Sequence, residues 1–240
     1  MAYFSNFPSV FYQFGNEQTV NSFPDISAYV DIIDQIKDDV NFYRYYTILD
    51  GDRPDIVSQK LYGSPLFYWT FFLLNDNLKQ QGWPLSVQRL EEKVKEDFPN
   101  TTVTTTTNLT GVFLPGQTIT GLSSGAEATI IKRRLDFGQL IVSGTHEFTN
   151  GEIITSTVGD TLQTATVTSS VEEYNSVHHY EDSDGKYVDI DPAVGNAALY
   201  TPITFFDRYV ASNDALKDIK VIRARSINDL VAAFNDALRS

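Results

Sequence analysis

Tyr45-Tyr46-Thr47-Ile48-Leu49-Asp50-Gly51-Asp52-Arg53-Pro54 joins a β-type run to a turn and then to the start of a helix. Aromatic and β-branched residues fill positions 45–49, and Asp50-Gly51-Asp52 is a strong turn signal, so a strand ends there. Pro54 suits the first turn of a helix, Ile56, Val57, Leu61 and Tyr62 give it apolar positions, and Gly63 stops it. Ser64-Pro65 opens a second helix through Phe67, Trp69, Phe71, Phe72 and Leu74, closed by Asn75-Asp76-Asn77. Apolar residues surround this helix on nearly every side, so it is either buried or covered by a partner. Gly82-Trp83-Pro84-Leu85 then offers a returning strand, which makes residues 46–85 a compact βααβ module.

Upstream of the module, Phe4, Phe7, Phe11, Tyr12 and Phe14 surround Pro8 without a clean period. That is the pattern of an extended arm, which either packs on its own domain or lies on a neighbouring subunit. Pro24-Asp25 opens a helix in which Ile26, Tyr29, Val30, Ile33, Ile36 and Val40 recur at spacings of three and four, opposite Asp31, Asp34 and Asp38. Downstream, Val87, Leu90 and Val94 among Glu91, Glu92, Lys93, Lys95 and Glu96 predict an exposed amphipathic helix over 86–97, ended by Pro99. The threonine run 101–107, broken only by Val103, marks a boundary or an edge strand.

An internal repeat follows. Phe113-x-x-Gly116-Gln117-x-Ile119 recurs as Phe148-x-x-Gly151-Glu152-x-Ile154, and Ala126-x-Ala128-Thr129-Ile130 matches Gln163-x-Ala165-Thr166-Val167 after a slip of two residues. Each copy alternates short strand patterns with glycine turns, which predicts a small β-sandwich or barrel inserted as one compact domain. Beyond it, strands near 176–180 and 186–190 flank the hairpin signal Asp184-Gly185, Ile219-Lys220-Val221-Ile222 reads as a strand, and Ser226 N-caps a last helix with Asp229 at the capping-box position. The expected class is α+β in four parts. Residues 1–45 form the arm and amphipathic helix, 46–100 the module and its following helix, 101–172 the inserted β-rich repeat domain, and 173–240 the C-terminal hairpin, strand and helix.

Composition narrows the chemistry. The 240 residues carry a formal charge of −13, which repels phosphate backbones, and Lys132-Arg133-Arg134 is the largest basic cluster, so no nucleic-acid role is expected. No apolar run nears the roughly 18–20 residues of a membrane span, and Met1-Ala2-Tyr3-Phe4-Ser5-Asn6 lacks a signal-peptide pattern, so neither membrane insertion nor secretion is expected. With no cysteine, a metal would need histidines and carboxylates alone. Adjacent strand positions point His178 and His179 to opposite faces, so they are read as surface histidines of a hairpin. Asp182-x-Asp184-Gly185 begins like a calcium loop, but Lys186 and Ala193 stand where later ligands belong, and a turn fits better. No nucleophile elbow, P-loop or dinucleotide fingerprint occurs, so neither catalysis nor a cofactor is expected. Sixteen phenylalanines and thirteen tyrosines point instead to protein contacts.

The module resembles a LysM fold through Tyr46-Thr47-Ile48, Gly51-Asp52, Ile56-Val57, Tyr62-Gly63, Asn75 and Trp83-Pro84-Leu85. A wider string is similar to the baseplate wedge protein of T-even-type contractile-tailed phages: Asp52-Arg53-Pro54, Tyr62-Gly63-Ser64-Pro65-x-x-Tyr68-Trp69, Asn75-Asp76-Asn77, Gly82-Trp83, and the terminal Leu216-Lys217-x-Ile219-Lys220-Val221-Ile222 with Ser226-Ile227-Asn228. The resemblance covers about residues 20–100 and 174–240 and leaves the repeat outside it. It implies a non-catalytic subunit of the virion tail baseplate, present in several copies, that binds neighbouring wedge subunits and the sheath-initiating subunit and helps join wedges around the hub. The expected interface residues are Phe67, Tyr68, Trp69, Phe71 and Phe72 of the second helix, with Phe11 and Phe14 of the arm. The alternative is a LysM-type peptidoglycan-binding tail protein. A third possibility makes the β insert a host-surface binder.

Overall fold

In a computed structural model of the chain, the described residues are 9–15, 19–24, 41–188, 190 and 199–237. The helix expected after Pro24-Asp25 lies outside them. The chain is mixed α and β and divides into two compact units, Met1–Val87 with Asn213–Ser240, and Gln88–Ser212.

The first unit is built on β3 (Tyr43–Thr47), which pairs antiparallel with β13 (Asp218–Ile222) in the register Thr47↔Asp218 to Tyr43↔Ile222. The strand, the turn at Gly51 (φ 75°) and helix α1 (Pro54–Tyr62, capped by left-handed Gly63) follow the sequence pattern, with the strand two residues early. The second helix differs. A 3₁₀ turn at Pro65–Phe67 leads into α2 (Trp69–Leu74), and Asn75 interrupts the helix only to start α3 (Asp76–Gln81). Asn75 leaves the helical region because its side chain is used elsewhere. Its amide donates to the Lys220 carbonyl (2.9 Å), its oxygen accepts from the Lys220 N–H (2.8 Å), and the amide also reaches the Phe71 carbonyl (2.7 Å). A buried carboxamide thus takes the place of a third strand beside β13.

The returning strand expected at 82–85 is absent. Pro84 has no N–H, and the backbone of Leu85 is held at both polar groups by the Asn213 side chain, at 2.7 and 3.0 Å. The strand that pairs with β3 is β13, more than a hundred residues further on. Ile48, Val57, Phe71, Leu78, Leu216, Ile219 and Val221 form the core beneath the strand pair, with Trp83 packed on Phe71 and Phe72. Leu74, Ile222, Ile227 and Leu230 make a second cluster with the last helix, α6 (Ile227–Ala237). Earlier in the chain, β1 (Ser9–Tyr12) pairs antiparallel with β2 (Asn21–Pro24), so the extended arm is one half of a hairpin.

The second unit centres on a closed six-stranded antiparallel barrel of β4 (Thr101–Thr105), β5 (Thr118–Gly121), β6 (Glu127–Arg134), β7 (Gln139–Val142), β8 (Ile153–Val158) and β9 (Thr161–Glu172), in the order β4-β7-β6-β5-β8-β9. The threonine run is therefore no edge: β4 is paired on both sides, with Val103 in the barrel core. The repeat is structural as well as sequential. The Gly116 N–H donates to the Ile130 carbonyl and the Gly151 N–H to that of Val167, while Ile130 and Val167 donate back to Gln117 and Glu152, each at 2.8 Å. The slip of two residues falls between the halves of each copy, where the hairpin loops differ. Phe113 with Phe148, Ile119 with Ile154, Ala128 with Ala165 and Ile130 with Val167 fill the barrel interior.

Flanking the barrel are α4 (Val87–Asp97), as its amphipathic pattern predicts, and a three-stranded sheet of β10 (Val177–Glu181), β11 (Tyr187–Val188) and β12 (Thr201–Thr204), followed by α5 (Phe205–Asp214).

Candidate functional site

The β1–β2 hairpin has the features of an interaction surface. Its register sets Val10 against Phe23 and Phe11 against Ser22. Residues two apart on a strand share a face, so Tyr12 and Phe14 join Phe23. Their rings meet edge to face, at 4.9 Å between Tyr12 and Phe14 and 5.9 Å between Phe14 and Phe23. Such a cluster is ordinarily internal, yet Tyr12, Phe14 and Phe23 are 56%, 50% and 44% exposed, and Phe11 on the opposite face is 70% exposed. Scattered exposed apolar residues are normal, whereas these rings form one contiguous exposed group on a two-stranded ribbon.

The expected interface residues part company here. Phe11 and Phe14 are on this surface, and Tyr12 and Phe23 belong with them. Gly15-Asn16 between the two aromatic runs was the available signal for a hairpin. Phe71 is wholly buried, and Trp69 is buried with its ring 4.8 Å from that of Phe234. Both belong to the core of the first unit, so the helix is apolar all round because it is enclosed within its own unit. Phe67, Tyr68 and Phe72 are half-buried against the same two clusters. Leu66, in the 3₁₀ turn before α2, is the exposed apolar residue of that region.

The polar groups that resemble chemical machinery are occupied. Asp50 accepts from the Val87 N–H and so caps α4, Asp52 pairs with Lys60 at 2.7 Å, and the Asp52 carbonyl accepts from the Trp83 indole. Asp182 accepts from the N–H groups of Asp184 and Lys186, which makes its segment a turn. Arg133 donates to the carbonyls of Leu109 and Val112, and Arg134 to those of Val177 and His178, so two of the three residues in the basic triplet serve the fold. Glu152 is buried, and although burial raises its pKa, hydrogen bonds from Ser124, Thr149 and Ser123 outweigh that and hold it below the usual carboxylate range. Among the described residues, no three His, Asp or Glu side chains gather into a metal-binding group, and no helix is long and apolar enough to cross a membrane.

His178 and His179 do not point apart. A register shift between Val177 and His179 breaks the alternation of β10, and the two Nδ1 atoms lie 2.9 Å from each other. Arg208 can only donate to Nε2 of His178 (2.7 Å), so the proton of neutral His178 sits on Nδ1 and is given to His179. His179 then carries its proton on Nε2 and donates to Glu181 at 3.0 Å. Burial first, then the charges of Arg208 and Arg134, push the His178 pKa down to about 4.

No protein-family model matches the chain, and no curated protein is significantly similar to it.

Proposed function

We propose that this chain is a structural, non-catalytic subunit of a contractile-tail baseplate wedge of the T-even type, which binds neighbouring wedge subunits and the sheath-initiating subunit and is carried in the virion. The observation that carries the proposal is the exposed Tyr12–Phe14–Phe23 cluster. Each of the three rings is about half exposed, so a partner that covered it would gain about 1 kcal/mol per ring, which suits a subunit whose final state is an assembly.

The architecture of the first unit lends further support. The two stretches that resemble the wedge family, far apart in the chain, contribute β3 and β13 to one strand pair. With Gln88–Ser212 set aside, the order β3, α1, α2 with α3, and β13 is strand, helix, helix, strand, the order that supports reading the first unit as LysM-like.

Sedimentation velocity of the chain mixed with purified wedge subunits of such a phage tests the proposal. The wild-type chain is expected to enter a faster-sedimenting complex, and the Tyr12→Ser, Phe14→Ser, Phe23→Ser triple variant is expected to remain slow. A wild-type chain that sediments alone with every wedge subunit would overturn it, and saturable retention on purified peptidoglycan would favour glycan binding instead.

A further inference from the structure

The outer wall of the barrel carries a cleft of about 490 Å³ that plays no part in the proposed assembly. It lies between β4 and β9 on one side and β10, with the 3₁₀ turn Leu135–Phe137, on the other, all within the second unit. Its volume is that of a small-molecule site, typically about 300–1,000 Å³.

The chemistry of the lining is selective. Among the described residues that line the cleft, none is charged. A phosphate or carboxylate would lose its hydration there, and Arg134, the cation that touches the lining at Phe137, Gln139 and Val177, is already committed to Gln139 and to the carbonyls of Val177 and His178. The walls mix hydroxyl groups with the apolar surfaces of Val171 and Tyr180. Several polar groups remain uncommitted: the hydroxyls of Thr104, Thr106, Ser169 and Tyr180 make no hydrogen bond among the described residues, although burial raises the Tyr180 pKa. Others are half spent. The hydroxyls of Thr105, Thr168 and Ser176 donate to the carbonyls of Gly138, Thr104 and Glu173, which leaves their lone pairs to accept. Gln139 gives one N–H to the Val177 carbonyl and accepts from Arg134 at its oxygen. A ligand that suits these walls is uncharged, bears several hydroxyl groups, and has an apolar face for an aromatic ring.

We infer that this cleft binds a neutral saccharide of one or two units, with Ser169 and Tyr180 hydrogen-bonding its hydroxyls.

The test is titration of the full chain with N-acetylglucosamine, galactose, maltose and the N-acetylglucosamine dimer, followed by saturation-transfer NMR, with glucuronate as the anionic comparison. At least one neutral sugar is expected to bind saturably and glucuronate to bind more weakly. Tyr180→Phe, which keeps the ring and hence the fold, is expected to weaken binding about fivefold, the effect of one neutral hydrogen bond, and Ser169→Ala by a similar factor. Saturable binding by none of the four sugars at millimolar concentration would overturn the inference. So would glucuronate binding as tightly as the neutral sugars, or an affinity left unchanged by the Tyr180→Phe, Ser169→Ala double variant, since binding would then lie elsewhere on the chain. Each outcome is independent of whether the chain enters a wedge complex.

Discussion

Replacing Asn75 with alanine removes all three hydrogen bonds of its carboxamide and leaves the edge of β13 at Lys220 without its partner. The expected cost is about 2–3 kcal/mol, read as a lower urea midpoint at unchanged slope. Asn75→Asp is expected to fare little better, because a carboxylate cannot donate to the Lys220 carbonyl. His178 gives the molecule a pH dependence with a defined sign. Its pKa of about 4 in the folded chain lies below the ordinary 6.5, so the unfolded chain binds more protons between those values. Its contribution to stability is complete above pH 6.5 and is lost as pH falls through 4. Glu152, whose pKa is also lowered, adds its own loss only below the usual carboxylate range, so the interval from about pH 6.5 to 4.5 isolates the histidine. Thermal unfolding of the wild-type chain is expected to weaken across that interval and that of His178→Gln to change less. Equal slopes would remove His178 as the cause. Neither residue's role could be read from its neighbours in the chain. Asn75 looked like a helix stop because its partner is Lys220, and His178 and His179 looked divergent because a bulge leaves no mark in a string of residues.

Helices α1 and α4 were legible because their signals are local: a proline start and glycine stop for the first, an amphipathic period for the second. The barrel was legible for a different reason, since two copies of one pattern must bury the same positions, and Phe113, Phe148, Ile119 and Ile154 do. The pairing of β3 was not. Trp83-Pro84-Leu85 has the composition of a closing strand, and what excludes it is Asn213, supplied from beyond the entire insert. Of the aromatic residues of α2 expected to divide their faces between core and partner, Trp69 and Phe71 are buried and Phe72 is half-buried. This separates the two aromatic elements by experiment. Phe71→Ala is expected to destabilise the first unit by about 3–5 kcal/mol, as a cavity in a core does. Phe11→Ser and Phe14→Ser, on the hairpin, are expected to stay within about 0.5 kcal/mol of the wild-type chain, as exposed positions do. Denaturant melts of the three variants give both answers, and a large loss of stability from the hairpin substitutions would show that its rings pack internally.

At the scale of the whole chain, a strand pair closed by residues from both sides of an insert ties the barrel unit into the first unit at two points of the backbone, Val87 and Asn213. The acidic net charge and the exposed aromatic ribbon together suit a chain that is soluble alone and buries apolar area on joining others. Hydrogen exchange of the chain, free and mixed with wedge subunits, reads that event at the hairpin itself. If the chain assembles through β1 and β2, amides over residues 10–14 and 20–23 gain protection in the mixture while those around Phe71 are slow in both states. A complex that forms while the hairpin amides exchange as fast as in the free chain would contradict it.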